Sequence, residues 1–326
     1  MKKPIMALAP MAEVTDAAFR RIIAKYGKPD VMYTEFVSAD GLFLADERGR
    51  RKIEADLSYS EAERPIVAQF FTSRPDMMER AAAYAREHNF DGVDINMGCP
   101  DRSVEKQGAG ASLMKNPALA RELIQAAKRG AGELPVSVKT RIGYGGNSLS
   151  TWLPELLAEE PASVTIHART RSEMSKVPAR WEHIREAALI RDRIGVPTLI
   201  LGNGDVADLD DARKKVATTG ADGAMLGRAI FGNPSLFSNS HELGNNGKAG
   251  VDTPTATIQQ RVTVLAEHTR LFDELLGNIK SFSIMKKHFK AYVSGWNGAA
   301  ELRMRLMECN TAEEVENRIQ EHLHAP

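Results

Sequence analysis

The chain has 326 residues, with 43 basic and 43 acidic side chains and a formal net charge of zero. A neutral chain has no global positive field that attracts nucleic acid or membranes, so any polyanion must be bound by a local patch. The two cysteines, Cys99 and Cys309, exclude a disulfide framework. The sequence shows no signal-peptide pattern and no apolar run of the ~20 residues that span a bilayer. We therefore expect a cytoplasmic protein that binds no membrane.

Eight short apolar runs recur along the chain, and most of them precede a segment of helical period. The runs are Ile5–Ala9, Val31–Glu35, Pro65–Phe70, Gly92–Asn96, Val136–Thr140, Ser163–His167, Thr198–Leu201 and Gly223–Leu226. The helical segments are Asp16–Tyr26, Asp76–His88, Ala118–Lys128, Glu182–Arg193 and Asp208–Thr219. The second unit is the weakest, because Asp40–Ser60 holds only short helical pieces. Apolar runs that do not alternate predict parallel strands covered on both faces.

Eight strand–helix units predict the α/β class and a (β/α)8 TIM barrel. The alternative is a doubly wound open sheet, which would draw its site residues from few strands. Here polar residues follow nearly every strand, as expected at the mouth of a barrel. These residues include Pro10-Met11, Glu35, Gln69, Asn96, Lys139, His167, Asn203 and Gly227-Arg228.

The pattern changes after Phe231. The polar stretch Ser238–Thr255 is rich in Gly and Asn, which favours a linker or an exposed loop. Four helical segments follow it, at Ile258–Leu276, Ile279–Val293, Ala299–Glu308 and Ala312–Leu323. We therefore predict two domains, a barrel over residues 1–240 and a small all-helical domain over residues 241–326.

One cysteine lies in a shaped loop. Val93–Asn96 has the pattern of a buried strand end, Gly98-Cys99-Pro100 turns the chain, and glycines follow at 108 and 110. A free cysteine is more often a small buried hydrophobe. The flanking Gly and Pro favour instead a thiol held at a strand exit and ready to donate a proton, with Asn96 three residues before it.

The ends of the last two strands carry glycines and a cation, in Gly202-Asn203-Gly204-Asp205 and Gly227-Arg228. Backbone N–H groups at such glycines bind anions, and TIM barrels commonly bind phosphate at this place. Two ordinary tight turns are the alternative. The position of both segments favours the phosphate site.

Three other strand-end side chains are candidates for a ligand. Lys139 ends an otherwise apolar strand, where a lysine is costly unless it meets an anion or reaches the rim. Gln69 offers a donor and an acceptor to the edge of a heterocycle. His167 could be a satisfied core histidine, but its neighbour Arg169 favours a site.

Several site classes are excluded. No G-x-G-x-x-G follows a strand, and Walker A, H-E-x-x-H and paired C-x-x-C motifs are absent, so we predict neither a Rossmann domain nor a metal. A cysteine protease would need a base such as His167 beside Cys99. That function would leave the phosphate-type loops unexplained.

The segment Met285–Tyr292 places four potentially cationic groups and two aromatic rings on about two helical turns. Such a surface suits a phosphate backbone with stacked bases. A solvated helix face is the alternative, and the segment alone does not decide between them.

Together these motifs resemble those of the tRNA-dihydrouridine synthases, in their order and spacing over nearly the whole chain. The matching segments are Ala9-Pro10-Met11, Val14-Thr15-Asp16, Phe19-Arg20, Gln69-Phe70, Asn96–Pro100, Gly110-Ala111, Val138–Arg141, His167–Thr170, Gly202–Asp205, Gly227-Arg228, and Lys286-Lys287-His288 with Tyr292 and Gly295.

The resemblance implies an FMN-bearing barrel that reduces the C5–C6 double bond of uridines in tRNA. NADPH (or NADH) would reduce the FMN, hydride would pass to C6, and Cys99 would protonate C5. It implies that FMN is held by Pro10, Met11, Gln69, Lys139, His167, Asn203, Gly204, Asp205, Gly227 and Arg228. It implies substrate contacts by Asn96, Arg141, Arg169, Lys286, Lys287, His288 and Tyr292. We expect a monomer.

The sequence departs from the family pattern after Thr170, where Arg171–Arg180 replaces a loop that commonly contains Tyr and Gly. This segment is expected to border the substrate, so the uridine that is reduced stays open. The alternative functions are an FMN-dependent reductase or dehydrogenase of a free pyrimidine, similar to dihydroorotate dehydrogenase, and a non-catalytic tRNA-binding protein.

Overall fold

The structure, a computed structural model, describes residues 4–238 and 257–324. These residues form two compact units. The first contains residues 4–10, 30–57 and 64–227, and the second contains residues 11–29, 58–63, 228–238 and 257–324. Nearly all of the predicted linker Ser238–Thr255 and the predicted boundary at residues 240 and 241 lie outside the described residues. The division into domains 1–240 and 241–326 therefore stays a prediction.

The first unit is a parallel barrel. Its strands are β1 (Ile5–Leu8), β2 (Met32–Tyr33), β3 (Val37–Ser38), β4 (Ile66–Phe71), β5 (Gly92–Asn96), β6 (Val136–Arg141), β7 (Ser163–His167), β8 (Leu199–Asn203) and β9 (Gly223–Leu226). They pair in the order β1-β9-β8-β7-β6-β5-β4-β2, and β3 also pairs with β4. A parallel bridge between Ala7 and Val31 joins the two ends. Because β2 and β3 share one position, the described strands fill eight positions and confirm the predicted (β/α)8 barrel.

The helices of the described residues are α1 (Ala17–Tyr26), α2 (Ala39–Leu44), α3 (Glu47–Leu57), α4 (Pro75–Glu87), α5 (Arg102–Lys106), α6 (Pro117–Ala131), α7 (Leu149–Leu157), α8 (Glu182–Ile194), α9 (Leu209–Thr219), α10 (Ile258–Leu276), α11 (Lys286–Tyr292), α12 (Ala299–Glu308) and α13 (Ala312–Leu323). Local signals set several of their ends. Asn116 caps α6 by accepting a hydrogen bond from the N–H of Leu119, and Pro117 occupies the first turn.

Three segments differ from their sequence-based predictions. Helix α7 was not predicted, and Pro154 lies inside it. Proline is disfavoured there, but the buried side chains of Leu149, Trp152, Leu153 and Leu156 hold the helix by packing. The weak stretch Asp40–Ser60 forms two helices, α2 and α3. The predicted helix Ile279–Val293 is shorter, because a 3-10 turn at Phe282–Met285 precedes α11.

The second unit is helical, as predicted for the C-terminal part of the chain, and it also contains α1. Helix α1 packs against α10. A buried ion pair of 2.7 Å joins Arg20 of α1 to Glu63, and both side chains are fully buried. Arg20 also donates to the carbonyl of Thr15 at 2.7 Å. These bonds satisfy two buried charges, which is the condition for their retention in a core.

Candidate active site

The parallel register brings the predicted polar residues to one end of the barrel. Arg141, His167 and Asn203 are register partners across β6, β7 and β8. One row earlier, Asn96 pairs with Lys139. Register partners on parallel strands point to the same side of a sheet. The strand ends therefore place these side chains in two successive layers.

Asn96 shapes the loop that carries Cys99. Its side-chain Oδ1 accepts hydrogen bonds from the backbone N–H of Gly98 at 3.1 Å and of Cys99 at 2.9 Å. On the other side, the carbonyl of Cys99 accepts from the N–H of Ala111 at 2.9 Å. Gly110 has φ +61°, and a Cβ there would lie 2.7 Å from the Cys99 carbonyl oxygen. The loop is thus fixed from both ends, and glycine is required at position 110.

The Cys99 thiol is half-buried, and its environment favours the protonated form. Burial raises the pKa of the Cys99 thiol above its ordinary value. A hydrogen bond from the Asp101 backbone lowers that pKa, and the Asp101 charge raises it. Lys139 and Arg141 oppose this rise through their positive charges. A thiol whose pKa lies above its usual value holds its proton at neutral pH. The group can therefore act as an acid.

Arg141 ties the Cys99 loop to the segment after β7. Its Nε donates to the carbonyl of Gly98 at 2.7 Å, and its Nη1 donates to the carbonyls of Thr170 and Met174 at 3.2 Å each. The side chain is buried, and burial lowers its pKa to about 10. Within the described part of the chain, the Arg141 guanidinium donates its hydrogen bonds to backbone carbonyls.

A second arginine makes a similar link. Arg171, in the segment that departs from the family pattern, forms an ion pair with Glu105 of α5 through its Nε at 2.9 Å. Its Nη2 reaches the carbonyl of Pro100 at 3.4 Å. The segment Arg171–Arg180 is thus attached to the cysteine loop by Arg141 and by Arg171.

Lys139 and Thr165 are polar groups without a hydrogen-bonding partner among the described residues. They are register partners on β6 and β7. Burial, with the charge of Arg141, lowers the pKa of Lys139 to about 8, while Asp94 and Cys99 act in the opposite direction. Thr165 is 1% exposed, and its hydroxyl makes no hydrogen bond. Lys139 is partly exposed, whereas Thr165 is buried. Buried polar groups are normally satisfied, so the Thr165 hydroxyl beside the lysine indicates the place of a polar ligand.

His167 and Arg169 belong to one network. The Nη1 of Arg169 lies 3.1 Å from Nε2 of His167, and the guanidinium also forms an ion pair with Asp205. Burial, with the charges of Lys139 and Arg141, lowers the pKa of His167 to about 2. The ring is therefore neutral, and it carries its proton on Nδ1, since Nε2 accepts from Arg169. Arg169 is 2% exposed, so its guanidinium orients neighbours within the protein.

The glycine turn after β8 is closely packed. The Nδ2 of Asn203 donates to the carbonyl of Met225 at 2.8 Å, which joins β8 to β9. Gly204 has φ +118°, and a Cβ there would lie 2.9 Å from Cβ of Ala179. The adjacent Asp205 also accepts from the N–H of Ala179 at 2.9 Å. This turn requires glycine for both conformation and space.

Gln69 lies deeper, on β4. Its side chain is fully buried, and both ends of its amide are hydrogen-bonded within the protein. Nε2 donates to Oδ2 of Asp94 at 2.6 Å, and Oε1 accepts from Nδ2 of Asn96 at 3.2 Å. Gln69 thus connects a buried carboxylate to the residue that holds the Cys99 loop.

The remaining predicted cofactor residues flank strand ends. Pro10 follows β1 and is buried, and Gly227 follows β9. Met11 and Arg228 belong to the second unit, where the N–H of Met11 donates to the Thr15 hydroxyl at 2.9 Å. Arg228 is exposed and begins the 3-10 turn Arg228–Ile230.

In the second unit, the predicted substrate residues of α11 separate into surface and core. Lys287 is exposed and forms an ion pair with Glu13. Lys286 is partly exposed, and Lys290 is exposed. His288 and Tyr292 are fully buried. Their side chains are therefore not available to a partner at the surface in this structure.

Three polar residues inside the barrel, Asp94, Ser137 and Thr165, are not among the residues predicted from the sequence. A signal for them exists. Asp94 precedes Asn96 by two positions, and Ser137 precedes Lys139 by two, so each pair shares one face of its strand. A polar residue two positions before a site residue, in an otherwise apolar strand, indicates a second polar layer.

With this geometry established, the chain can be compared with known proteins. Residues 7–325 match the family model described as dihydrouridine synthase (Dus). The chain belongs to the dihydrouridine synthase family. It is 38% identical over 317 residues to the probable tRNA-dihydrouridine synthase 2 of Bacillus subtilis. The aligned region covers 97% of this chain and 93% of that protein. It is 36% identical over the same length to the probable tRNA-dihydrouridine synthase of Staphylococcus aureus, with 97% and 92% covered.

Solved structures share the fold at low sequence identity. A complex of 2-naphthoyl-CoA reductase with 2-naphthoyl-CoA matches with a TM-score of 0.53 and 13% identity, covering 73% of this chain and 50% of that chain. Histamine dehydrogenase from Rhizobium sp. 4-9 matches with a TM-score of 0.53 and 13% identity, covering 82% and 48%. At this identity the likeness concerns the barrel fold alone.

Within residues 4–238 and 257–324, no group of three or more His, Cys, Asp or Glu side chains is placed to hold a metal ion. Among the described helices, none combines the length and the apolar character that crossing a bilayer requires.

Proposed function

We propose that this dihydrouridine synthase family member reduces the C5–C6 double bond of specific uridines in tRNA, with FMN as its cofactor and NADPH as the reductant. The observation that carries the proposal is the Cys99 loop, in which Asn96 fixes the backbone of a thiol that stays protonated at neutral pH. Reduction of an enone-like double bond needs a hydride and a proton, and a protonated thiol supplies the second.

The residues present fit a flavin. Lys139 is a cation without an ion pair among the described residues, and the Thr165 hydroxyl beside it in register is buried and unsatisfied. The carbonyl oxygens and ring nitrogens of an isoalloxazine would accept hydrogen bonds from both groups. We propose that FMN is held by Pro10, Met11, Gln69, Lys139, His167, Asn203, Gly204, Asp205, Gly227 and Arg228, with Thr165 as an addition from the structure.

In the proposed reaction, bound FMN supplies the hydride that is added to C6 of the uracil ring. Cys99 holds a proton on Sγ and gives it to C5, so that the product gains one hydride and one proton. Lys139 provides positive charge near the ring system, and neutral His167 donates from Nδ1. The thiolate that remains would recover its proton from solvent before the next turnover.

Arg141 and Asn96 would orient the uracil while they hold the loop. Each also has hydrogen bonds inside the protein, so binding and loop geometry would depend on the same side chains. The segment Arg171–Arg180 is attached to that loop, and we propose that it borders the flipped nucleotide. Extrusion of a base from its stack costs a few kcal/mol, and the cost is lower in a loop. Contacts between the protein and the tRNA backbone must offset this free energy.

We propose that the backbone contacts are made in part by Lys286, Lys287 and Lys290 of α11. Their side chains are exposed or partly exposed. Phosphate contacts by lysine release counterions, so binding should weaken as salt rises. The buried rings of His288 and Tyr292 would support this helix from inside the unit.

The proposal is tested with the purified full chain, FMN, NADPH and a tRNA transcript that contains no dihydrouridine. The expected result is oxidation of NADPH that depends on tRNA, together with a gain of two hydrogens in uridine by mass spectrometry. Turnover of free uridine or dihydroorotate without tRNA would favour the reductase of a free pyrimidine. A colourless protein that binds tRNA and oxidises no NADPH would contradict the proposal in favour of a non-catalytic binding protein.

A further inference from the structure

A buried carboxylate lies in the layer below the Cys99 loop. Asp94 is fully buried on β5, where its register partners are Gln69 on β4 and Ser137 on β6. Ser137 donates its hydroxyl to Oδ1 of Asp94 at 2.5 Å, and Gln69 donates Nε2 to Oδ2 at 2.6 Å. Both oxygens of the carboxylate therefore accept a hydrogen bond from a neighbouring strand.

From Asp94 a chain of amides leads to the cysteine. The Oε1 of Gln69 accepts from Nδ2 of Asn96 at 3.2 Å. The Oδ1 of Asn96 then accepts from the backbone N–H groups of Gly98 and Cys99. We call the series Asp94–Gln69–Asn96 the amide relay.

The relay has a direction. A side-chain amide donates at one end and accepts at the other, whereas an ionised carboxylate only accepts. With Asp94 at its start, Gln69 must direct Nε2 toward Asp94 and Oε1 toward Asn96. Asn96 must then present Oδ1 to the N–H groups of the loop. If Gln69 alone were reversed, its Nε2 would face the Nδ2 of Asn96. If Asn96 were reversed as well, its Nδ2 would face the N–H groups of Gly98 and Cys99, which would lose their acceptor.

We propose that Asp94 is a positioning residue, whose buried carboxylate fixes the direction of the amide relay and thereby holds the Cys99 loop in its working conformation. The inference rests on the proposed role of Cys99 as proton donor, but the relay itself is a property of the chain. The described hydrogen bonds to the Asp94 carboxylate come from Gln69 and Ser137, so Asp94 would act on the Cys99 loop through Gln69 and Asn96.

The charge state of Asp94 agrees with this role. Burial raises the pKa of Asp94 to about 6, while the hydrogen bonds from Ser137 and Gln69 and the charge of Lys139 lower it. At pH 7 and above, the carboxylate is thus largely ionised and accepts at both oxygens.

The test compares three variants in a Cys309→Ser background, so that Cys99 is the one thiol that reacts. Asp94→Asn replaces the acceptor by an amide that can adopt two orientations. Ser137→Ala is the matched control, because it removes the other hydrogen bond to the same carboxylate and leaves the relay intact. It also removes the hydrogen bond between Ser137 and the buried Tyr33, which is not part of the relay. Asp94→Asn with Gln69→Glu exchanges the acid and the amide, so that Asn96 again faces an acceptor-only group.

The measurement is the rate of Cys99 alkylation by iodoacetamide from pH 6 to 10, on the purified full chain without tRNA or NADPH. The variants are compared at equal flavin content, because Gln69 also belongs to the proposed FMN site. A loosened loop exposes the thiol and raises its thiolate fraction, so Asp94→Asn should react at least about threefold faster at pH 8. Ser137→Ala and the exchange variant should stay within about twofold of the parent protein.

An unchanged profile in Asp94→Asn, an equal effect of Ser137→Ala, or no restoration by the exchange would each overturn the proposal. If Asp94→Asn does not fold, the exchange variant must fold, because its relay is complete, and its failure would count against the proposal as well. None of these outcomes depends on turnover of tRNA. A failure of the proposed function would instead leave the alkylation profiles as predicted.

Discussion

The side chain of Asn96 holds the backbone of Cys99, through a hydrogen bond of 2.9 Å from the Cys99 N–H to Oδ1. Removal of this acceptor in Asn96→Ala leaves the buried N–H of Gly98 and the partly buried N–H of Cys99 without their acceptor. A buried group left unsatisfied costs about 1–3 kcal/mol. We expect the free energy of unfolding to fall by about 2–4 kcal/mol, measured by thermal unfolding. Asn116→Ala removes a comparable but exposed acceptor at the start of α6 and should cost about 1 kcal/mol. Equal losses would contradict the importance of burial at Asn96.

Cys99 is the proposed acid. In Cys99→Ala the strand ends that would bind FMN are intact, so flavin content and its reduction by NADPH should remain, while turnover on tRNA falls by about 10²–10⁴-fold. Separate stopped-flow measurements of the two half-reactions check this. Cys309→Ser, which removes a buried cysteine from the second unit, should keep full turnover. Full activity of Cys99→Ala would remove the thiol from the mechanism.

The pH dependence of turnover follows from the same thiol. Because burial raises the pKa of Cys99, the protonated form persists above the ordinary thiol range and is lost only as the pH rises through the raised value. A profile of single-turnover rate against pH, measured on flavin reduced beforehand, should stay flat through neutral pH and decline on the alkaline side. Because the pKa of Lys139 is about 8, the profile is also measured in Lys139→Arg, whose charge persists over this range. A decline that begins below pH 8 in that variant as well would contradict a buried, protonated acid.

Two buried histidines predict that the second unit is sensitive to acid. Burial lowers the pKa of His288 to about 3 and that of His268 well below its ordinary value, and the two rings lie 4.6 Å apart. An unfolded histidine binds its proton near pH 6.5, so protons favour the unfolded state. The contribution of the two neutral rings to the free energy of unfolding is therefore fully present above about pH 6.5. It falls with the pH below that value, by about 1.4 kcal/mol per pH unit for each ring.

Hydrogen exchange of α10 and α11 from pH 6 to 4 would measure this loss. His288→Leu should reduce the slope of opening free energy against pH by about half, since one of the two rings is removed. His324→Gln, at an exposed position near the end of α13, should leave the slope as it is. An unaltered slope in His288→Leu would contradict the assignment.

The lysines of α11 are predicted to bind the tRNA backbone. Lys286→Glu with Lys287→Glu should weaken tRNA binding, while flavin reduction by NADPH is unchanged. The slope of log affinity against log salt concentration should fall by the equivalent of up to about two phosphate contacts. Arg213→Glu with Lys214→Glu reverses two charges on α9 of the first unit and is the matched control. Filter binding between 50 and 200 mM salt tests both, and equal affinities of the two double variants would remove the surface from the proposal.

A change at Glu13 should strengthen tRNA binding, whereas the lysine changes should weaken it. It forms an ion pair with Lys287, whose positive charge lowers the pKa of Glu13. Glu13→Gln keeps the size of the side chain and removes a negative charge beside the lysine. We expect tighter tRNA binding in this variant, most clearly at low salt. Weaker binding would indicate that Glu13 positions Lys287 for its contact.

The barrel and the helical C-terminal part could be predicted from the sequence, because near-continuous apolar runs and helical periods are local properties of the chain. The strand-end residues around Cys99 could be predicted as well, since the carboxyl ends of parallel strands meet at one end of a barrel. The hydrogen-bond partners of these side chains could not be predicted. Register places Asp94 beside Gln69 and Ser137, residues far apart in sequence, and packing overrides Pro154 in α7 and buries His288 although its neighbours are lysines. Hydrogen bonds between strands and burial depend on the distances that folding creates, and no local pattern carries them.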